Sequence, residues 1–214
     1  MDNTYNSQTK VITENVKCPY CDAEKRVKVT LTVDAQDSKL VKKLLDNTLF
    51  LHKCSKCQNK YNVFNPFVYL DEENSIAIHC TQGARYFDEV VNKLLYNRST
   101  IFDQKFRFTR AVTEYKEFKE KYIILSNGLD DRIIEFIKLD IRENRSNECG
   151  PISDIRCIDV QEKWITIRAV GEKKAQVFHI SIEEYEDFKS RYAHWLNNYK
   201  PVVIDASWAI DHAD

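Results

Sequence analysis

Glycine is scarce in this sequence. Gly83, Gly128, Gly150 and Gly171 stand isolated among 214 residues. A loop that cradles phosphate needs clustered glycines so that the backbone can approach the ligand closely. Neither a P-loop nor a dinucleotide fingerprint is present, and no nucleotide cofactor is expected. Long apolar runs are missing as well: none approaches the ~18 residues that span a bilayer, so no membrane association is expected. Charge of one sign is also lacking, with 32 basic against 33 acidic residues and a net charge of −1. That balance argues against bulk electrostatic attachment to nucleic acid, whose usual footprint is a strongly basic domain. The opening stretch, Met1 to Gln8, has neither the basic flank nor the apolar core of a secretory signal. Internal repeats and low-complexity tracts are absent. The length suits one sizeable domain or two small ones.

Cysteine is what the chain does have. Seven are present, and four fall into two Cys-x-x-Cys pairs, Cys18-Pro19-Tyr20-Cys21 and Cys54-Ser55-Lys56-Cys57. Two such pairs are the signature of a tetrahedral four-sulfur site. Cys18, Cys21, Cys54 and Cys57 are therefore read as ligands of one structural zinc ion. With all four positions filled by sulfur the site is closed, whereas catalytic zinc keeps a position open for water. An odd cysteine count with four in metal spacing points to a reducing cytoplasm. Cys-Pro-Tyr-Cys is also the active-site tetrapeptide of glutaredoxins, which raises a thiol-disulfide oxidoreductase as an alternative. There the first cysteine sits at a helix N-terminus that lowers its pKa. Here the residues after Cys21 alternate as a strand, and a second pair would be left unexplained. His79 and Cys80 read as ordinary residues at a strand end rather than further ligands, and His52 as a surface residue beside the second pair. Cys149 and Cys157 could pair only in an oxidising compartment.

Along the chain, residues 1 to 10 read as a loose polar leader. Val27, Val29, Leu31 and Val33 share one face of a strand. Asp37-Ser38 caps a helix of roughly three turns, with Leu40, Val41, Leu44 and Leu45 as its stripe. Leu49 to Leu51 leads back, extended, to the second pair. Phe67 to Leu70 and Ser75 to Cys80 form a hairpin around a four-residue turn. Phe87, Val90, Val91, Leu94 and Leu95 have helical spacing, and Arg107 to Val112 reads as a short strand. Thr113 opens a helix through Tyr122, Asn127-Gly128 follows as a helix end, and Asp130-Asp131 begins the next helix. That second helix carries Ile133, Ile134, Phe136, Ile137 and Ile141, and the pair is expected to pack on the ribbon. Arg142 to Ser153 is the linker candidate. A meander follows over Ile155–Val160, Trp164–Val170 and Ala175–Ile180. The capping box at Ser181–Glu184 then starts a helix with Ile182, Tyr185, Phe188, Tyr192, Trp195 and Leu196 on one face. The tail from Pro201 is apolar enough to dock.

Lys17-Cys18-Pro19-Tyr20-Cys21, the run Leu44 to Phe50, the second cysteine pair, Asn65 to Asp71 and Leu129 to Glu135 together resemble the CpXC domain family of prokaryotes. The likeness spans roughly residues 16 to 140. It implies a metal-binding domain of uncharacterised function and brings no catalytic residues. The family commonly has glycine after each pair, where this chain has Asp22 and Gln58. The fold expected is α+β: a zinc-ribbon-like antiparallel sheet with an inserted helix, a helical hairpin, and a C-terminal β-meander plus helix. Two domains are expected, 11–146 and 150–214.

The leading function is a non-catalytic, zinc-binding macromolecular interaction module, its protein or nucleic-acid partner unknown. Between Lys10 and Lys60 eleven basic residues face six acidic ones. Lys25, Arg26, Lys28, Lys53 and Lys56 are thus candidate nucleic-acid contacts, although lysines that simply solvate the outer ribbon explain the count as well. An enzymatic reading rests on Asp130, Asp131, Arg132 and Glu135, which could converge on a cleft. Against it stands a helix start with an ion pair from Arg132 to Glu135. The aromatic helix around Tyr185, Phe188, Tyr192 and Trp195 could be a docking face, and serves equally as core.

Overall fold

The computed structural model describes residues 9–96, 105–198 and 201–213. The expected leader falls mainly on residues 1–8, outside this description, as does the Trp195 side chain. The chain separates into two compact units, up to Tyr115 and from Lys116 onward.

The first unit contains β1 (Lys10–Lys17), β2 (Glu24–Asp34), α1 (Ser38–Leu45), β3 (Leu51–Lys53), β4 (Lys60–Asn62), β5 (Phe67–Asp71), β6 (Ile76–Cys80), α2 (Phe87–Tyr96) and β7 (Phe108–Val112). Asp37 caps α1 by accepting from the Leu40 N–H at 3.0 Å, and Val41 and Leu44 are its buried residues. The five-stranded sheet runs β1-β2-β5-β6-β7, and β3 and β4 form a separate hairpin. The α+β class is as expected, but the sheet is mixed rather than antiparallel. β2 pairs with β5, and β6 with β7, in parallel. The reason lies in the connections. α1 and the β3–β4 hairpin intervene between β2 and β5, and α2 between β6 and β7, giving the long crossovers that parallel neighbours require. β1 carries no apolar alternation, since nearly all its side chains are exposed, and it is held through backbone pairing with β2. Val27, Val29, Val33, Leu44, Phe50, Phe67, Tyr69 and Ile78 are among the unit's buried core residues. The Phe50 ring lies 5.6 Å from Phe67 and 5.9 Å from Tyr115. Burial of such a ring contributes about 2–3 kcal/mol.

The second unit holds α3 (Tyr115–Ser126) from its second residue, α4 (Asp131–Asp140), a π-turn (Ile141–Arg145), β8 (Ile152–Val160), β9 (Trp164–Gly171), β10 (Ala175–Ser181), α5 (Ile182–Arg191), α6 (Ala193–Asn198) and α7 (Ala206–Asp211). The antiparallel sheet is ordered β10-β9-β8. Gly128 ends α3 with φ 74°, a conformation that glycine takes without steric cost. The α3–α4 hairpin, expected to extend the ribbon, shares its core with the meander. Ile124, Ile133, Ile134 and Ile137 cluster with Ile165, Ile167, Ile180, Tyr185 and Trp208. The compact unit therefore begins near Lys116, and the residues around 146–150 lie inside it. The aromatic stripe is core: Phe136 stacks on Tyr192 at 3.8 Å, and Tyr185 and Phe188 are buried. The expected single C-terminal helix breaks at Tyr192 into α5 and α6. Ser181 caps α5 by accepting from the Glu184 N–H at 3.0 Å, but the Glu184 carboxylate pairs with Arg145 at 2.5 Å instead of reaching back.

Candidate metal centre

Each cysteine pair occupies the tip of an antiparallel hairpin. The first lies between β1 and β2, beyond the terminal Lys17–Glu24 pairing, and the second between β3 and β4, beyond Lys53–Lys60. The two tips are folded by the same bonds. Cys18 N–H donates to Ala23 O at 3.0 Å and Asp22 N–H to Cys18 O at 3.0 Å; Cys54 N–H donates to Asn59 O at 2.9 Å and Gln58 N–H to Cys54 O at 3.1 Å. In both, the residue after the second cysteine takes a left-handed conformation, Asp22 at φ 54° and Gln58 at φ 61°. A glycine adopts that conformation at no steric cost, which is the physical sense of a glycine at these positions.

The tips bring four sulfurs within 4.8 Å of one another. Cys18 Sγ lies 3.7 Å from Cys57 Sγ, and Cys21 Sγ 3.7 Å from Cys54 Sγ. These separations far exceed the ~2.05 Å of a disulfide. They match the ~3.8 Å edge of a tetrahedron whose centre stands about 2.3 Å from each sulfur. The four cysteines are thus placed to bind one metal ion. Cys18 and Cys54 are buried with Tyr61, and Val16, Ala23 and Val63 pack around them. Without metal the thiols are unequal. The Cys57 backbone N–H, more strongly than the Lys56 N–H, draws Cys54 down to about 6 against the cost of its burial. A hydrogen bond from the Ala23 backbone favours ionised Cys21, but desolvation and the three neighbouring sulfurs outweigh it and push that thiol up to about 12. Tyr61 is pushed upward by burial and by the surrounding sulfurs.

The remaining candidates separate. His79 and Cys80 are buried in β6, outside the sulfur cluster. His52 is half-buried on β3, its ring 6.3 Å from Tyr61, and desolvation followed by Lys25 lowers its pKa. Lys25, Arg26, Lys28, Lys53 and Lys56 are exposed, and Lys25 Nζ donates to Lys53 O at 3.2 Å, tying the two hairpins together. Cys149 and Cys157 are separate thiols: Cys149 Sγ donates to Gln176 Oε1 at 3.3 Å and Cys157 Sγ to Asp159 O at 3.7 Å.

In the second unit the expected Arg132–Glu135 pair does not form. Arg132 turns back onto Asp130, the α4 cap, at 2.6 Å. Glu135 accepts from Lys121 at 3.2 Å and Lys138 at 2.9 Å; Lys121 also meets Asp131 at 3.1 Å, and Lys138 meets Glu120 at 3.1 Å. All five of these side chains are buried. Desolvation pulls Lys121 down, but Asp131 and Glu135 prevail and raise it; Glu120 and Glu135 raise Lys138 in the same way. Burial raises Glu135, yet Lys138 and Lys121 hold it below its ordinary value. A small cavity reaches Glu135 and Lys138, lined otherwise by Leu139, Arg142, Ile155, Ala206 and Ile210. Asp130, Asp131 and Arg132 do not line it, so the four residues do not converge on one cleft. Sequence reasoning missed Glu120, Lys121 and Lys138; their helical spacing was visible, their burial was not.

Fold and site together define a protein with paired cysteine knuckles, two hairpin tips joined in one four-sulfur cluster inside an α+β chain. Residues 16–138 match the family described as CpXC protein, and the chain belongs to that family. It is also similar to the probable phosphoenolpyruvate synthase of Methanocaldococcus jannaschii, 27% identical over 115 residues. That stretch is 54% of this chain and 9% of the relative, so the chain spans under a tenth of the length of the protein it matches. No solved structure matches. Among the described residues no helix is long and apolar enough to cross a membrane.

Proposed function

We propose that Cys18, Cys21, Cys54 and Cys57 hold one zinc ion as thiolates, and that the knuckle pair is a closed structural centre of a non-catalytic module that binds a macromolecular partner in a reducing cytoplasm. The observation carrying this reading is the pair of 3.7 Å sulfur separations spanning the two hairpins. Tetrahedral sulfur suits zinc or iron. Bound zinc would fix the Cys54–Cys57 tip that joins β3 and β4, three-residue strands too short to be stable alone. The thiol-disulfide alternative has little support: each cysteine of the first pair lies close to a cysteine of the second, and no helix begins at Cys18. For nucleic acid, Lys25 alternates onto the face of β2 opposite Arg26 and Lys28, which divides the candidate contacts. A protein partner is therefore the reading we adopt.

Metal analysis of the purified chain tests the zinc centre. One zinc per chain is expected, with none retained by Cys54→Ser and with the first unit destabilised. Iron with its thiolate absorption bands, or full zinc retention by Cys54→Ser, would overturn the assignment. Partner class is read from nucleic-acid titrations across a salt series. A steep loss of affinity with salt would replace the protein reading with phosphate contacts.

A further inference from the structure

The two larger sheets end in four edge strands, β1, β7, β8 and β10. An edge strand exposes unpaired N–H and C=O groups, and proteins ordinarily blunt it with charge, proline, a bulge or a covering element. Three of the four are blunted. β1 carries Lys10, Glu14 and Lys17 and a register irregularity beside Lys10. β7 has α2 packed against it. β8 shifts register twice, and the Glu120 carboxylate takes its Cys157 N–H at 2.8 Å.

β10 is different. Ala175-Gln176-Val177-Phe178-His179-Ile180-Ser181 contains no Asp, Glu, Lys, Arg or Pro, and its pairing with β9 is regular. The bonds that bracket this hairpin, Gly171 N–H to Lys174 O at 3.1 Å and Ile182 N–H to Lys163 O at 3.2 Å, set the alternation. Gln176, Phe178 and Ile180 then exchange bonds with β9, while Ala175, Val177, His179 and Ser181 direct their backbone groups to the open side. No strand among the described residues lies on that side.

We propose that β10 pairs with β10 of a second copy of this chain, antiparallel across a two-fold axis at Phe178. This register engages all four open residues. Ala175 faces Ser181 of the second copy and Val177 faces His179, giving about eight main-chain hydrogen bonds across the axis. Shifting it by two residues leaves one open residue of each strand unpaired. The charges flanking the strand favour a second copy over an unrelated segment. Lys173-Lys174 precede β10 and Glu183-Glu184 follow it. Lys174 is held by Glu148 and Glu184 by Arg145, whereas Lys173 and Glu183 are both exposed. Antiparallel pairing brings the Lys173 end of each strand to the Glu183 end of the other. A parallel pair would set like charges together. Phe178, half-buried at the edge of the core, meets its own copy at the axis as a cross-strand aromatic pair. Val177, 47% exposed, is covered by His179 of the second copy.

Sedimentation of the full chain, loaded from about 1 to about 300 µM, suits an interface at the small end of the range. The expected result is a concentration-dependent rise toward twice the 25.2 kDa chain mass. Val177→Lys places a charge on the open edge and should weaken association by about tenfold or more. Lys173→Glu should weaken it too, and adding Glu183→Lys should restore it. Circular dichroism checks that each variant folds. Since residues 173 and 183 lie outside the strand, the charge series decides the matter even if Val177→Lys misfolds. A monomer at every loading, an undiminished dimer in Lys173→Glu, or failure of the double variant to recover would each overturn the proposal.

Discussion

Gln58 and Asp22 hold the two knuckle turns in a left-handed conformation, at φ 61° and 54°. A residue with a Cβ loses roughly 1–2 kcal/mol there, while glycine gives back about 0.5–1 kcal/mol through its freer unfolded chain. Aspartate tolerates this region better than glutamine because its short side chain bonds locally. Gln58→Gly should therefore stabilise the first unit by about 0.5–1 kcal/mol, and Asp22→Gly by less. The Gln58 Nε2–Ser55 O bond lost in the exchange is exposed and costs little. Urea unfolding of both variants would expose an error, most clearly if Gln58→Gly is the less stable protein. His79 makes a second statement at this scale. Burial in β6 lowers its pKa from 6.5 to about 4, so the fold holds the neutral ring. Its contribution to stability is present above pH 6.5 and is lost as pH falls toward 4. Between pH 7 and pH 5 the loss is about 2 kcal/mol. Comparison with His79→Leu over that interval cancels the other titrations, and parallel pH profiles would refute the assignment.

The helices α3 and α4 show why some of the structure was legible in the sequence and some was not. Asn127-Gly128, the helix start at Asp130-Asp131 and the isoleucine stripe are local signals, and each appears where the residues indicated. So do the Asp37 cap, the β5–β6 hairpin and the four cysteines, whose spacing carries their chemistry. β1 gave no signal because an exposed strand held by backbone bonds has no apolar alternation. The parallel pairings depend on which distant strand returns beside which. Lys121 and Lys138 look like solvated residues in sequence, yet each is buried by carboxylates from the neighbouring helix or its own. Removing one member of such a cluster leaves charge uncompensated in the interior. Lys138→Met should cost about 3 kcal/mol, because Glu120 and Glu135 both lose a cation. A chemical denaturation midpoint unchanged by this substitution would mean that the cluster is wetter than its burial implies.

For the whole molecule, the two units differ in what holds them. The second has an extensive apolar cluster joining the helical hairpin to the meander, and no cysteine of the sulfur site lies within it. In the first, the short β3–β4 hairpin and the exposed β1–β2 tip meet around four thiols, with Tyr61 as their buried aromatic neighbour. Structural zinc in small peptides contributes about 10–16 kcal/mol of apparent binding free energy, as much as the net stability of an ordinary domain at about 5–15 kcal/mol. Metal removal should thus act on one unit alone. With zinc bound, thermal unfolding of both units is expected at neutral pH. After exhaustive treatment with a strong chelator under reducing conditions, the transition belonging to the first unit should fall sharply or vanish, and that of the second should stay within a few degrees. Intrinsic fluorescence separates the two, because Trp164 and Trp208 lie in the second unit along with Trp195, and no tryptophan lies in the first. Chelation should change far-ultraviolet dichroism while leaving the tryptophan transition in place. If the tryptophan signal collapses together with the dichroism, the two units share one folding equilibrium, and the metal supports the second as well as the first.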